Sequence, residues 1–325
     1  MRSRHFVSNS NLGSPSDVSI AHLMYGSSVS HWNEPLQTTL EVYEKSYTIG
    51  VESGNFQYAC YGLAHSAYTE FFCGFISLSR QRHALEKYSE FVVRTGNKWA
   101  ADVIRGIQFV IDLLTCDYID ITRAKEGFEE LIEEFRGHQS RQPICILYVI
   151  LEYSSLFGSL NFPCVMEEAR REIITVAPQF LMPYVMFQFL DLLTSIERAS
   201  DRRDVTEVVE KLANFRKLAE VGRESVFRFL CNFFFIFYIS LQILPFFSDF
   251  SKSSFSYFSY LKVGNQTYMA HCLLIEAAVV TLTDSNSENV IANYARVIEA
   301  CAKLENYPLE GGGLCFVFLE MCDLQ

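Results

Sequence analysis

Residues 34–72 read EPLQTTLEVYEKSYTIGVESGNFQYACYGLAHSAYTEFF, and this stretch decides the fold. Glu34-Pro35 opens a helix, with proline accepted in the first turn, where its missing N–H costs nothing. Leu36, Leu40, Tyr43, Tyr47 and Val51 recur at three- and four-residue spacing and form one apolar face. Glu52-Ser53-Gly54-Asn55 breaks that period, and residues 56–72 return as a second helix. Ala59, Gly62, Ala64 and Ala67 stand between its aromatics. Small residues let a neighbouring helix approach closely, so the two segments read as a tight antiparallel hairpin.

The unit recurs along the chain. Residues 78–93 and 99–114 flank an Arg94-Thr95-Gly96-Asn97 break. Thr122 reads as the cap of a helix to residue 135, with Glu126, Glu129, Glu130, Glu133 and Glu134 on a solvated side. After Gly137 and Pro143, residues 144–156 are nearly all apolar and read as the inner helix of their pair. Asn161 with Pro163 opens a helix to residue 176, Pro178 and Pro183 frame 184–196, and 204–218 is amphipathic. One more pair reads at 268–282 and 288–304, followed by a helix at 309–321. The unit spacing of about 35–42 residues falls within the range of two-helix repeats. Strand-like alternation is nearly absent. The expected fold is all-α, with antiparallel helix pairs stacked into a right-handed superhelix, an α-solenoid.

The 325-residue chain is half apolar and one-fifth charged, enough to bury a large core. Its net charge of −11 disfavours nucleic acid and anionic lipid as partners. Residues 1–19, rich in Ser and Asn, lack the apolar core of a signal peptide and read as a flexible lead-in to a helical-repeat domain over 20–325. The ten cysteines stand singly with no C-x-x-C pair. They read as reduced, mostly core residues of a cytoplasmic protein.

Residues 223–264 break the rhythm and hold eleven of the 28 Phe residues. Phe229 and Phe247 bound an uncharged run of 19 residues, FLCNFFFIFYISLQILPFF, long enough to span a membrane. Three readings stand: a membrane span, a buried helix of the array, or a segment foreign to the fold such as translated intron. Val221-Gly222 precedes the segment and Val263-Gly264 closes it; joining ANFRKLAEVG to NQTYMAHCLLIEA leaves an ordinary helix pair.

No residue set forms an active site. Phosphate-loop, dinucleotide and protein-kinase motifs are missing, and Gly311-Gly312-Gly313 reads as a turn. The histidines 5, 22, 31, 65, 83, 138 and 271 include no i, i+4 pair and no H-E-x-x-H, so neither a metal nor a cofactor is expected. His65 and His271 read as hydrogen-bonded core or interface histidines. Glu129, Glu130, Glu133 and Glu134 lack the E-x-x-H partner of a di-metal helix. Glu167-Glu168 with Arg170-Arg171 is an ion-pair surface.

Two stretches carry a family resemblance. The first is His31-Trp32-Asn33-Glu34-Pro35-Leu36, leading through Gly50-Val51-Glu52-Ser53-Gly54-Asn55-Phe56-Gln57-Tyr58-Ala59. The second is Asn265-Gln266-Thr267-Tyr268-Met269-Ala270-His271, with Tyr294-Ala295-Arg296-Val297-Ile298-Glu299-Ala300 beyond it. They resemble the tetratricopeptide-like helical region of very large bacterial and fungal signalling proteins. There, serine/threonine-kinase-like and AAA-type ATPase domains precede the array, and GAF and histidine-kinase domains follow. The chain has none of the kinase or ATPase residues and lacks the regular Trp, Leu-Gly and Pro positions of the ordinary repeat. The resemblance implies a non-catalytic module, a piece of a longer protein, that meets other signalling domains. The alternatives are a membrane-anchored adaptor using 229–247 and a helical enzyme with an acidic pocket. A partner would meet the concave face supplied by the first helix of each pair, where Tyr43, Tyr47, Arg80, His83, Tyr88 and Arg170 are the candidates; aromatics and Arg are the usual hot-spot types.

Overall fold

The computed structural model describes residues 13–31, 36–74, 76–116, 120–139, 141–157, 160, 162, 165–173 and 181–198, and the isolated positions 210, 211, 213, 292, 295, 296 and 298. Apart from those positions, the helices read at 204–218, 268–282, 288–304 and 309–321 lie outside the described residues, as does the apolar segment 223–264. Among the described residues the fold is all-α, with nine α-helices and no strand. No described helix is long and apolar enough to cross a membrane.

The helices are α1 (Pro15–Tyr25), α2 (Leu36–Glu52), α3 (Phe56–Cys73), α4 (Leu78–Thr95), α5 (Lys98–Thr115), α6 (Ile121–Gly137), α7 (Arg141–Phe157), α8 (Met166–Ile173) and α9 (Leu181–Arg198). Their starts follow capping chemistry. Asn55, Ser77 and Asn97 each accept a hydrogen bond from a backbone N–H of the first turn. Gly96 closes α4 at φ +73°, a left-handed conformation that costs a side-chain-bearing residue energy.

Three sequence expectations are corrected. Residues 15–19 are not lead-in: Ser14 and Asp17 form a capping box that starts α1 at Pro15, and Ser19 is fully buried. Asp120, not Thr122, caps α6, accepting from the N–H groups of Thr122 and Arg123. Pro143 and Pro183 do not bound α7 and α9 but sit inside their first turns, where the backbone N–H has no intrahelical partner to lose.

After α1 the helix widens to a π-turn, Gly26–Ser30, which delivers His31 to the interior. Helix α1 runs antiparallel to α2: Ser19 Oγ donates to the Ser46 carbonyl at 2.7 Å, and Ser30 Oγ meets Thr39 Oγ1 at 3.0 Å. Small residues set the spacing. A Cβ on Gly50 would stand 2.9 Å from Ser19 Oγ and 3.1 Å from the Ala59 backbone nitrogen. Gly50→Ala, which would stabilise an exposed helix by about 1 kcal/mol, is expected to cost about 1–3 kcal/mol net here, read as a lowered urea midpoint.

From α3 onward two rows alternate. Helices α3, α5, α7 and α9 pack successively side by side. On the outside, α4 bridges α3 and α5, α6 bridges α5 and α7, and α8 bridges α7 and α9. Short turns make chain neighbours antiparallel, which leaves the inner helices mutually parallel. Trp99 on α5 accordingly meets Gln142 at the start of α7, its indole N–H donating at 2.9 Å. Helix α5 buries Ala100, Val103, Ile104, Ile107 and Ile111 along one stripe. Helix α7 has no solvent-facing stripe, and residues 143–154 are all buried. The run 144–156 is therefore an inner helix, as its composition indicates. The inner row also folds back on itself: Phe71 and Phe72 of α3 reach Tyr153 of α7 at 6.3 and 5.2 Å between ring centroids, both edge to face.

Candidate functional site

The six residues expected on a partner-binding face do not share one. Of the first helices of the pairs, α4, α6 and α8 form the outer row and α2 packs between α1 and α3, so they do not share one inner surface. Tyr43 is 2% exposed and lies in the core, where its ring fills the space left by Gly26. Its large apolar ring reads equally as hot spot or as core in sequence, and burial decides for the core. Arg80 and His83 are exposed on α4, with His83 Nδ1 3.3 Å from Glu86 on the same helix. Arg170 on α8 is held by Glu167 and by Asp191 of α9, which Lys211 also approaches at 3.6 Å. The structure does bring Tyr47 and Tyr88 together. Both are half-buried; Tyr47 packs edge to face on Phe91 at 5.3 Å, and the Tyr88 hydroxyl donates to Glu70 Oε1 at 3.3 Å.

A second polar constellation sits deeper. The π-turn places His31 at 1% exposure, near His65 of α3. His65 lies 5.3 Å from the Tyr43 ring and 5.9 Å from Trp99, and its Nδ1 shares a hydrogen bond with the Tyr68 hydroxyl. His65 is thus hydrogen-bonded and half-buried on α3. Burial disfavours the imidazolium and pushes both His31 and His65 down to about 3. His22 on α1 is pushed down to about 4 by burial and by Lys45. Burial also raises the Tyr43 phenol and the Cys73 thiol. At neutral pH this cluster consists of uncharged imidazoles, phenols and a thiol. Such groups fix packing by directed hydrogen bonds, but they are too weak as bases or nucleophiles for acid–base or covalent work.

Buried carboxylates complete the polar interior. Asp102 on α5 is 1% exposed and meets His138 Nδ1 at 3.1 and 3.2 Å, tying the end of α6 to α5. Arg105 and Glu134 pair alongside. Glu152 on α7 accepts from the Val165 N–H and from Thr194 Oγ1, both at 3.4 Å, which joins α7 to α9. Sequence reading missed these residues. Glu152 had a visible signal, a single charge inside ILYVILEYSS, while Asp102 and Glu70 look like ordinary helix-face acids. Glu129, Glu130, Glu133 and Glu134 are exposed, as a solvated face requires. Among the described residues no group of three or more His, Cys, Asp or Glu is arranged to hold a metal ion.

No protein-family model matches the chain, and comparison with curated proteins and with solved structures gives no match either.

Proposed function

We propose that the chain is a non-catalytic interaction and relay module, a tetratricopeptide-like α-solenoid of antiparallel helix pairs from a larger signalling protein. The observation that carries this reading is the alternation of rows: each outer helix bridges two successive inner helices from α3 to α9. A stacked array of repeats offers other chains an extended surface along its length. Arg80 and His83 on α4 and the acidic side of α6 are among the exposed charged positions available to a partner. The resemblance around residues 31–59 and 265–300 supplies the class of partner, kinase-like and ATPase-like domains of the same signalling assembly.

Cross-linking mass spectrometry in cells with the full chain tests this. Lys87 on α4 and Lys125 on α6 are exposed and are expected to link to a kinase- or ATPase-bearing polypeptide. A folded chain that links to no signalling protein above background would overturn the reading.

A further inference from the structure

The seam between α3 and α4 holds a carboxyl group whose environment suits its acid form. Glu70 lies near the end of α3, half-buried, with Oε1 accepting from the Tyr88 hydroxyl of α4 at 3.3 Å. Its second oxygen, Oε2, is buried and has no hydrogen-bond partner among the described residues. The titratable groups facing this seam are Tyr88 from α4, Glu44 and Tyr47 from α2, and Cys73 one turn further along α3. All of these are acids, so none offsets a negative charge on Glu70. An ionised carboxylate here would bury a lone-pair-rich oxygen without a donor, whereas a protonated one hides no charge.

We propose that Glu70 is a proton-controlled latch on the α3–α4 seam: the neutral carboxyl keeps α4 seated, and its ionisation loosens α4 locally. Burial raises this carboxyl to about 7, with the Tyr88 hydroxyl opposing the rise. The latch thus works across neutral pH. An open seam would return Glu70 to water and to its ordinary value of 4.5. Opening therefore becomes easier as the pH rises through 7, by about tenfold between pH 6 and pH 8. The latch stands independently of whether α4 meets a partner.

Amide exchange on the full chain, expressed as protection factors, tests the latch. Protection around Leu85, Tyr88 and Val92 is expected to fall about tenfold from pH 6 to pH 8 relative to α7. Glu70→Gln keeps the shape without the charge and is expected to abolish that fall. An unchanged fall in Glu70→Gln, or no fall in the native chain, would overturn the proposal. Should Glu70→Gln not fold, Tyr88→Phe decides the matter. Loss of the phenol removes the donor to Oε1, so the transition moves to higher pH if the latch is real and stays in place if it is not.

Discussion

Lowering the pH from 6.5 to 4.5 is expected to destabilise the folded chain by about 4–5 kcal/mol. The cause is the pair of buried imidazoles at the π-turn. His31 and His65 are held near 3 in the fold, against an ordinary value of 6.5. Below pH 6.5 the unfolded chain takes up protons that the fold refuses. The stability these residues permit is therefore complete above 6.5 and is lost progressively as the pH falls toward 3. Each histidine loses about 1.4 kcal/mol per pH unit, so the pair loses about 5 kcal/mol over this window. Glu70 acts with the opposite sign. Its folded value of about 7 lies above its ordinary 4.5, so the fold gains a proton first as the pH drops, and this returns about 2.5 kcal/mol. His22, near 4, adds about 2 kcal/mol to the loss. Urea unfolding at pH 6.5 and 4.5 measures the net effect. His65→Gln is expected to remove about a third of the histidine share. A stability that does not change across the window would exclude neutral buried histidines.

The second large effect concerns the fold-back of the inner row. Phe72 is 2% exposed and meets Tyr153 edge to face. Phe72→Ala is expected to cost about 3–5 kcal/mol, because the ring leaves a cavity between two inner helices that other packing holds apart. The same truncation removes an aromatic pair worth about 0.5–1.5 kcal/mol beyond its buried area. A double-mutant cycle with Tyr153→Ala isolates that coupling. Additive losses would show that the α3–α7 contact does not hold the row together.

The helices were legible because their signals are local. Spacing at 36–51, the break at Gly54-Asn55 and the small-residue face of α3 all act within one or two turns, and α2 and α3 stand where these patterns place them, whereas the helix read from Asn161 starts at Met166. The apolar run at 144–156 announced its own central position for the same reason. The two-row assignment was not legible in that way. Which helix of a pair faces inward depends on contacts between residues far apart in the chain, such as Trp99 with Gln142 or Phe72 with Tyr153. Tyr43 shows the limit most sharply: an aromatic on an amphipathic helix is the same letter whether it packs against Gly26 or meets a partner. Helix α1 escaped notice because its polar letters have local or cross-helix partners: Asp17 caps the helix, Ser16 accepts from Asn55 at the start of α3, and Ser19 bonds to α2. The buried acids Asp102 and Glu70 escaped because their burial comes from other helices.

The burial of residues 143–154 in α7 sets a problem for the ribosome. Its covering helices α8 and α9 are encoded after it, so about forty more residues must be made before the buried run 143–154 can be shielded on that side. At about 5–20 residues per second, this largely apolar run stands unsheathed for roughly 2–8 s on every nascent chain. Synthesis speed and chaperone supply over codons 141–198 therefore bear directly on how much of this protein escapes aggregation.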